Sequence, residues 1–135
     1  MKIIKSITCA LVLLITLTSC GKKTDEQIIT NNVKSFAKAL YSGDFKKAAK
    51  YCTKDAAESI IMIEGLITED MLKDMKKTNP SVEIIEISID ELSLTARVKC
   101  IIKGAYDLNS KTGISPDEIP TSFILYKEEK KWLIN

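Results

Sequence analysis

Two periods divide the chain. From residue 24 to residue 79 apolar side chains recur at helical spacing; from residue 82 to residue 134 they alternate or cluster as in strands. The helical half opens with Thr24-Asp25-Glu26-Gln27, a capping box in which Thr24 is the N-cap and Gln27 returns the bond. Asp25 and Glu26 suit the positive end of the helix dipole. Behind this cap Ile29, Val33, Phe36, Ala37, Leu40 and Tyr41 share one face, with Asn32, Lys34, Ser35 and Lys38 opposite. Ser42-Gly43-Asp44 predicts a stop followed by a new cap. A short second helix then runs from Phe45 to about Cys52, with Phe45, Ala48, Ala49 and Cys52 on one side. Lys54 to Ile63 reads as a third helix carrying Ile60, Ile61 and Ile63, interrupted at Gly65. Thr68 caps a fourth, Glu69 to Lys77, on a narrow stripe of Met71, Leu72 and Met75, and Asn79-Pro80 closes the helical half.

The second half reads as strands. Val82 to Ile89 is rich in β-branched residues, and Asp90-Glu91 predicts a turn. Leu92 to Lys103 alternates, with Leu94, Ala96, Val98, Cys100 and Ile102 on one face and Thr95, Arg97, Lys99 and Lys103 on the other. That is the pattern of a half-buried antiparallel strand. Ala105 to Pro120 predicts a long exposed loop. Thr121 to Lys127 and Lys131 to Ile134 predict a hairpin around the charged tip Glu128-Glu129-Lys130. Helices followed by antiparallel strands give an α+β domain, with N-terminal helices packed on one face of a curved sheet of about four strands. The helix stripe Ile29, Val33, Phe36 and Leu40 should cover the face carrying Leu94, Ala96, Val98, Cys100 and Ile102, and Trp132 should close the same core.

The first 20 residues follow neither period. Lys2 and Lys5 precede an apolar run from Ile7 to Leu17, which ends in the small residues Thr18 and Ser19 and then Cys20. The order is that of a secretory signal peptide, and the run falls short of the ~20 apolar residues of a spanning helix. Leu17-Thr18-Ser19-Cys20 resembles the bacterial lipoprotein lipobox at all four positions. The resemblance implies cleavage between Ser19 and Cys20 and a diacylglyceryl thioether on the Cys20 thiol. Two acyl chains make attachment stable where one is marginal. The expected organisation is a signal peptide over 1–19, a lipidated tether over 20–24 and one domain over 25–135. The place is the cell envelope outside the cytoplasm. In an envelope with two membranes, Gly21 after the cysteine points to the outer membrane, facing the periplasm.

Charge and composition then narrow the chemistry. Loss of Lys2 and Lys5 with the leader lowers the 20 basic side chains to 18, equal to the 18 acidic ones, so the net +2 belongs to the leader. A nucleic-acid partner calls for a basic excess that the domain lacks. Without any histidine, the commonest general base and metal ligand are missing, and two remaining cysteines cannot form a standard zinc site. No metal or cofactor is expected. Cys52 and Cys100 lie on apolar faces, either joined by a disulfide or as two buried inert thiols. Arg97, Lys99 and Lys103 form a basic row that reads as a solvated face paired with Glu83 or Glu86, against contact with lipid headgroups.

The stretch Phe36-Ala37-Lys38-Ala39-Leu40-Tyr41-Ser42-Gly43-Asp44-Phe45-Lys46-Lys47-Ala48 resembles the first helix and Gly-Asp turn of the nuclear transport factor 2-like superfamily. The ending Phe123 to Ile134, with Trp132 on the last strand, is similar to that superfamily's closing hairpin. Larger members carry a strand between the second and third helices, and residues 53–67 offer no clear counterpart. The resemblance implies a cone whose lining would draw on Phe36, Tyr41, Tyr51, Cys100 and Trp132. It also implies isomerase or dehydratase chemistry as one use of that cone, for which Tyr41, Tyr51, Tyr126 and Asp90 are the available groups. The residues themselves favour a mostly filled interior, since Phe36, Tyr41 and Trp132 are bulky. The leading expectation is therefore a non-catalytic, membrane-anchored binding module for a small apolar ligand or an envelope protein. The alternatives are an enzyme of the ketosteroid isomerase or dehydratase type, and a structural envelope component.

Overall fold

The structure is a computed structural model that describes residues 24–106 and 118–135. The lipobox, with Ser19 and Cys20, lies outside the described residues. Four helices, α1 (Asp25–Tyr41), α2 (Phe45–Ala49), α3 (Lys54–Leu66) and α4 (Glu69–Lys77), precede four strands, β1 (Ser81–Asp90), β2 (Thr95–Lys103), β3 (Glu118–Glu128) and β4 (Lys131–Ile134). The strands form one antiparallel sheet in the order β1-β2-β3-β4. The fold is α+β, with helices against one face of an open four-stranded sheet.

Each helix starts on the cap its sequence supplies. Thr24 and Gln27 form the reciprocal capping box of α1, and Asp44, Thr53 and Thr68 accept backbone N–H groups at the starts of α2, α3 and α4. α1 ends on its C-cap Ser42, and the next residue, Gly43, turns the chain at a φ of +88° that suits a residue without a Cβ; an added Cβ would stand 2.8 Å from Leu72 Cδ1. Two expectations for the helices need correction. Gly65 does not interrupt α3, which runs through it to Leu66, because Gly65 sits in open space where the helix tolerates it. α2 stops at Ala49 instead of Cys52, because the next residues pair with β4. The Ile134 N–H donates to Tyr51 O at 2.9 Å, and the Thr53 N–H donates to Ile134 O at 2.8 Å, making Cys52 and Ile134 a single parallel bridge.

The register sets the two faces of the sheet. Ala96, Val98, Cys100 and Ile102 lie opposite Leu125, Phe123, Thr121 and Ile119 and point toward the helices. Ile29, Val33 and Phe36 of α1 join them in one buried cluster with Trp132, as the stripe predicts; Leu40 packs at its margin. The Phe36 and Phe123 rings meet edge to face at 5.5 Å. β1 carries a bulge at Ile85, since Ile84 faces Cys100 while Glu86 faces Lys99. The extra residue keeps Val82 and Ile84 before it, and Ile87 after it, on the helix side.

Three strand boundaries also differ from the sequence pattern. Leu94 does not begin the inward alternation of β2. Residues 91–94 form a turn closed by the Asp90–Thr95 pair, and Leu94 sits half-exposed there at φ +55°. β3 begins at Glu118, so Pro120 lies inside a strand. It is tolerated because β4 pairs only with residues 125–128, which leaves the earlier part of β3 as an edge. The closing hairpin turns on Glu129 and Lys130 alone, both at positive φ, between the paired Glu128 and Lys131.

Candidate functional site

The residues expected to line a cone lie in or against the buried core of the described residues. Phe36, Cys100 and Trp132 are buried in the common cluster, and Tyr41 and Tyr51 pack against it. Trp132 is held at three points. Its indole N–H donates to Asp25 Oδ1 at 3.2 Å, the Asn32 side-chain amide donates to its carbonyl at 3.0 Å, and the Lys127 ammonium stands 5.6 Å from its ring centroid. Lys127 Nζ also lies 3.6 Å from Asp25 Oδ2. The first residue of α1 is thus tied to the last hairpin by one carboxylate that serves an indole and an ammonium.

The groups weighed for catalysis do not converge. Tyr41 and Tyr51 sit at the helix side of the core, whereas Tyr126 points to the opposite face of the sheet and is 38% exposed. Asp90 stands exposed at the end of β1. Its Oδ1 accepts the backbone N–H groups of Leu92 at 3.0 Å and Ser93 at 3.3 Å. Hydrogen bonds from the Ser93 side chain and from these two amides hold its carboxyl below the usual value, the reverse of the raised pKa that a proton-donating acid needs.

Cys52 and Cys100 are buried as expected and are free thiols. Burial pushes each up to about 11, so neither is a nucleophile near neutral pH. A disulfide between them is ruled out by the sheet. Cys52 adjoins Ile134 on β4, Ile134 faces Leu125 on β3, and Leu125 faces Ala96 on β2. Three strand spacings of ~4.8 Å place Cys52 about 14 Å from β2 at Ala96, with Cys100 four residues further along, and a disulfide needs Cα atoms within ~7 Å.

The outer face of the sheet carries the polar constellation. Lys99 pairs with Glu86 at 3.5 Å, and Lys103 pairs with Glu83 at 3.1 Å and Glu118 at 3.5 Å. This is the paired, solvated row that the sequence suggests, and the Glu83 contact is the main reason that the Lys103 ammonium is held above its usual pKa. Arg97 sits between Ser88 and Ile124 in a shallow groove of about 360 Å³ that Glu86, Asp90, Thr95 and Lys99 also line. Next to it Ile124, 42% exposed, and Tyr126 give this face an apolar side. Met62 and Leu66, one turn apart on α3, are largely exposed as well. Among the described residues no cluster of three or more Cys, Asp or Glu is arranged to hold a metal ion, and no helix is long and apolar enough to cross a membrane.

The sequence places a turn at Asp90-Glu91 but not its extent: the turn runs over 91–94, and Leu92 in it is 99% exposed. Its signal is the Leu92-Ser93-Leu94 triplet, two leucines in a segment otherwise made for a polar turn. A comparison with protein-family models finds no match, and a comparison with curated proteins finds none either.

Proposed function

We propose that this chain is a lipoprotein, anchored through Cys20 outside the cytoplasmic membrane, whose domain is a nuclear transport factor 2-like binding module for a protein partner. The observation that carries the reading is the aromatic packing between α1 and the sheet. Phe36 meets Phe123 edge to face there and Trp132 is buried in the same cluster, which argues against a site for a small apolar ligand among the described residues. The apolar surface is instead outside, at Ile124 and Tyr126 beside Arg97, a mixture of aromatic, aliphatic and guanidinium groups suited to protein contact. Two features support the family reading. The Gly43-Asp44 turn joins α1 to α2, and Cys52 makes its single bridge to Ile134 where larger members carry a strand. An isomerase-type reading would need a carboxylate enclosed by apolar groups, and Asp90 is exposed.

Two measurements test this. Cells fed an alkyne fatty acid should label the wild-type protein and not Cys20→Ala; equal labelling removes the anchor. A photo-reactive amino acid at Tyr126 should give one discrete protein adduct in cells, absent when the same group replaces Lys46, exposed on α2. No adduct, together with saturable enhancement of N-phenyl-1-naphthylamine fluorescence by the purified protein, would return the small-ligand reading in its place.

A further inference from the structure

One end of the sheet gathers features that the binding reading does not use. In this up-and-down sheet the β1–β2 turn at 91–94 and the β3–β4 turn at 129–130 stand at the same end. The start of α1 is there too. The Lys127 N–H donates to Leu94 O at 2.9 Å, and its ammonium reaches Asp25. Asp25, Ile89, Leu94 and Trp132 line one shallow groove of about 190 Å³ at this end.

The turn is braced from within. Asp90 Oδ1 takes the N–H groups of Leu92 and Ser93, and the Ser93 and Thr95 hydroxyls share a hydrogen bond of 2.7 Å. Leu94 is held in the left-handed region, costly for a side chain of its size. The brace fixes a backbone that holds Leu92 out at 99% exposure and Leu94 at 50%. Strain and self-bonding spent on exposing two leucines have no use in the folded core, and they point to an apolar phase outside it.

The chain's own attachment says which phase. From Cys20 to Thr24, the residue that caps α1, there are four Cα steps, a reach of about 14 Å at most. A lipid on Cys20 therefore keeps the start of α1, and with it this end of the sheet, close to the bilayer. We propose that the turn at 91–94 docks in the headgroup–acyl boundary of the membrane that holds the anchor, with Leu92 as the inserted side chain and Leu94 beside it. The proposal rests on the lipid anchor at Cys20. Lys22 and Lys23 of the tether, with Lys127, Lys130 and Lys131, are matched by Asp25, Glu26, Glu91, Glu128 and Glu129, five against five, so the docking is apolar and does not depend on anionic lipid. Burying one leucine favours the apolar phase by roughly ten- to a hundredfold, too little to recruit a free protein. For a chain already tethered the step is intramolecular, and that factor is enough to hold one orientation.

The test uses full-length lipidated protein in phosphatidylcholine vesicles, with the fatty-acid label confirming the anchor in the same sample. An environment-sensitive nitrobenzoxadiazole probe is attached at Leu92→Cys and, as a control, at Ser81→Cys on the opposite end of β1. The unsubstituted chain, whose Cys52 and Cys100 are buried, gives the labelling background. The expected result is a several-fold rise and blue shift at position 92, quenched by lipids with a doxyl group near the headgroup, and a water-like signal at position 81. Equal, water-like signals on labelled protein would overturn the docking and leave the anchor standing. A rise at 92 that grows with protein density and resists doxyl lipids would assign the leucines to a second copy of the chain and also overturn it. Absence of the fatty-acid label would take anchor and docking down together.

Discussion

Gly43 and Gly65 are the same residue type with opposite consequences. Gly43 sits at φ +88°, with Leu72 Cδ1 2.8 Å from where a Cβ would be; Gly65 is in α3 with open space around it. Gly43→Ala should lower stability by about 1–2 kcal/mol, whereas Gly65→Ala should raise it by about 0.5–1 kcal/mol. Urea titration of the two variants reads both signs. Asp90 gives a pH dependence. Its carboxyl is depressed in the folded chain, so its stabilising effect is complete above the ordinary Asp value of ~3.9 and fades as pH falls through the lower folded value. The acid limb of the stability curve should therefore be shallower in Asp90→Asn than in wild type, read by denaturation between about pH 5 and 2. The capping role of Thr24 was legible because capping is local chemistry. The brace made by Asp90 was not: a turn at Asp90-Glu91 was legible, but Leu92-Ser93-Leu94 continues the alternation of β2 and hides how far the turn extends.

At the scale of elements, the closing hairpin is built on an unsuited loop. A two-residue turn with both φ values positive is the type I′ geometry, which favours Asn-Gly, and here it holds Glu129 and Lys130. Replacing the pair with Asn-Gly should stabilise the domain by about 1 kcal/mol, or roughly 4–8 °C in Tm, with the register of Trp132 unchanged. A fall in Tm would mean that the charged pair makes contacts that offset its backbone cost. The strands themselves were legible from alternation, and the charged tip from composition. The turn type was not, since neither residue announces it. The bulge at Ile85 was hidden for another reason: Val82 to Ile89 is so rich in β-branched residues that its apolar content masks the change of phase.

For the molecule as a whole, the match between the α1 stripe and the β2 face was legible, because each is a large apolar surface that needs cover, and the described residues bring both into one buried cluster. What needed the structure was the tie from Asp25 to Trp132, two residues with no pattern in common. Trp132→Ala should cost about 3–5 kcal/mol by emptying the core, and Asp25→Ala should cost less, since it leaves the ring in place. Thermal melts of the two variants order these effects; equal losses would show that the hydrogen bond, and not the volume, holds the end of the sheet together.

That tie joins positions 107 apart in sequence. A contact so distant closes a long loop, and its entropy must be met before the contact returns anything. The two hairpins, with partners only a few residues away, can zip while α1 is still searching. The Asp25–Trp132 join then belongs to the last stage of folding, after the rate-limiting barrier. Changes there should leave the refolding rate nearly unaltered and appear almost wholly as faster unfolding. The strength of that one corner thus sets how long the domain stays folded and has little effect on how quickly it folds.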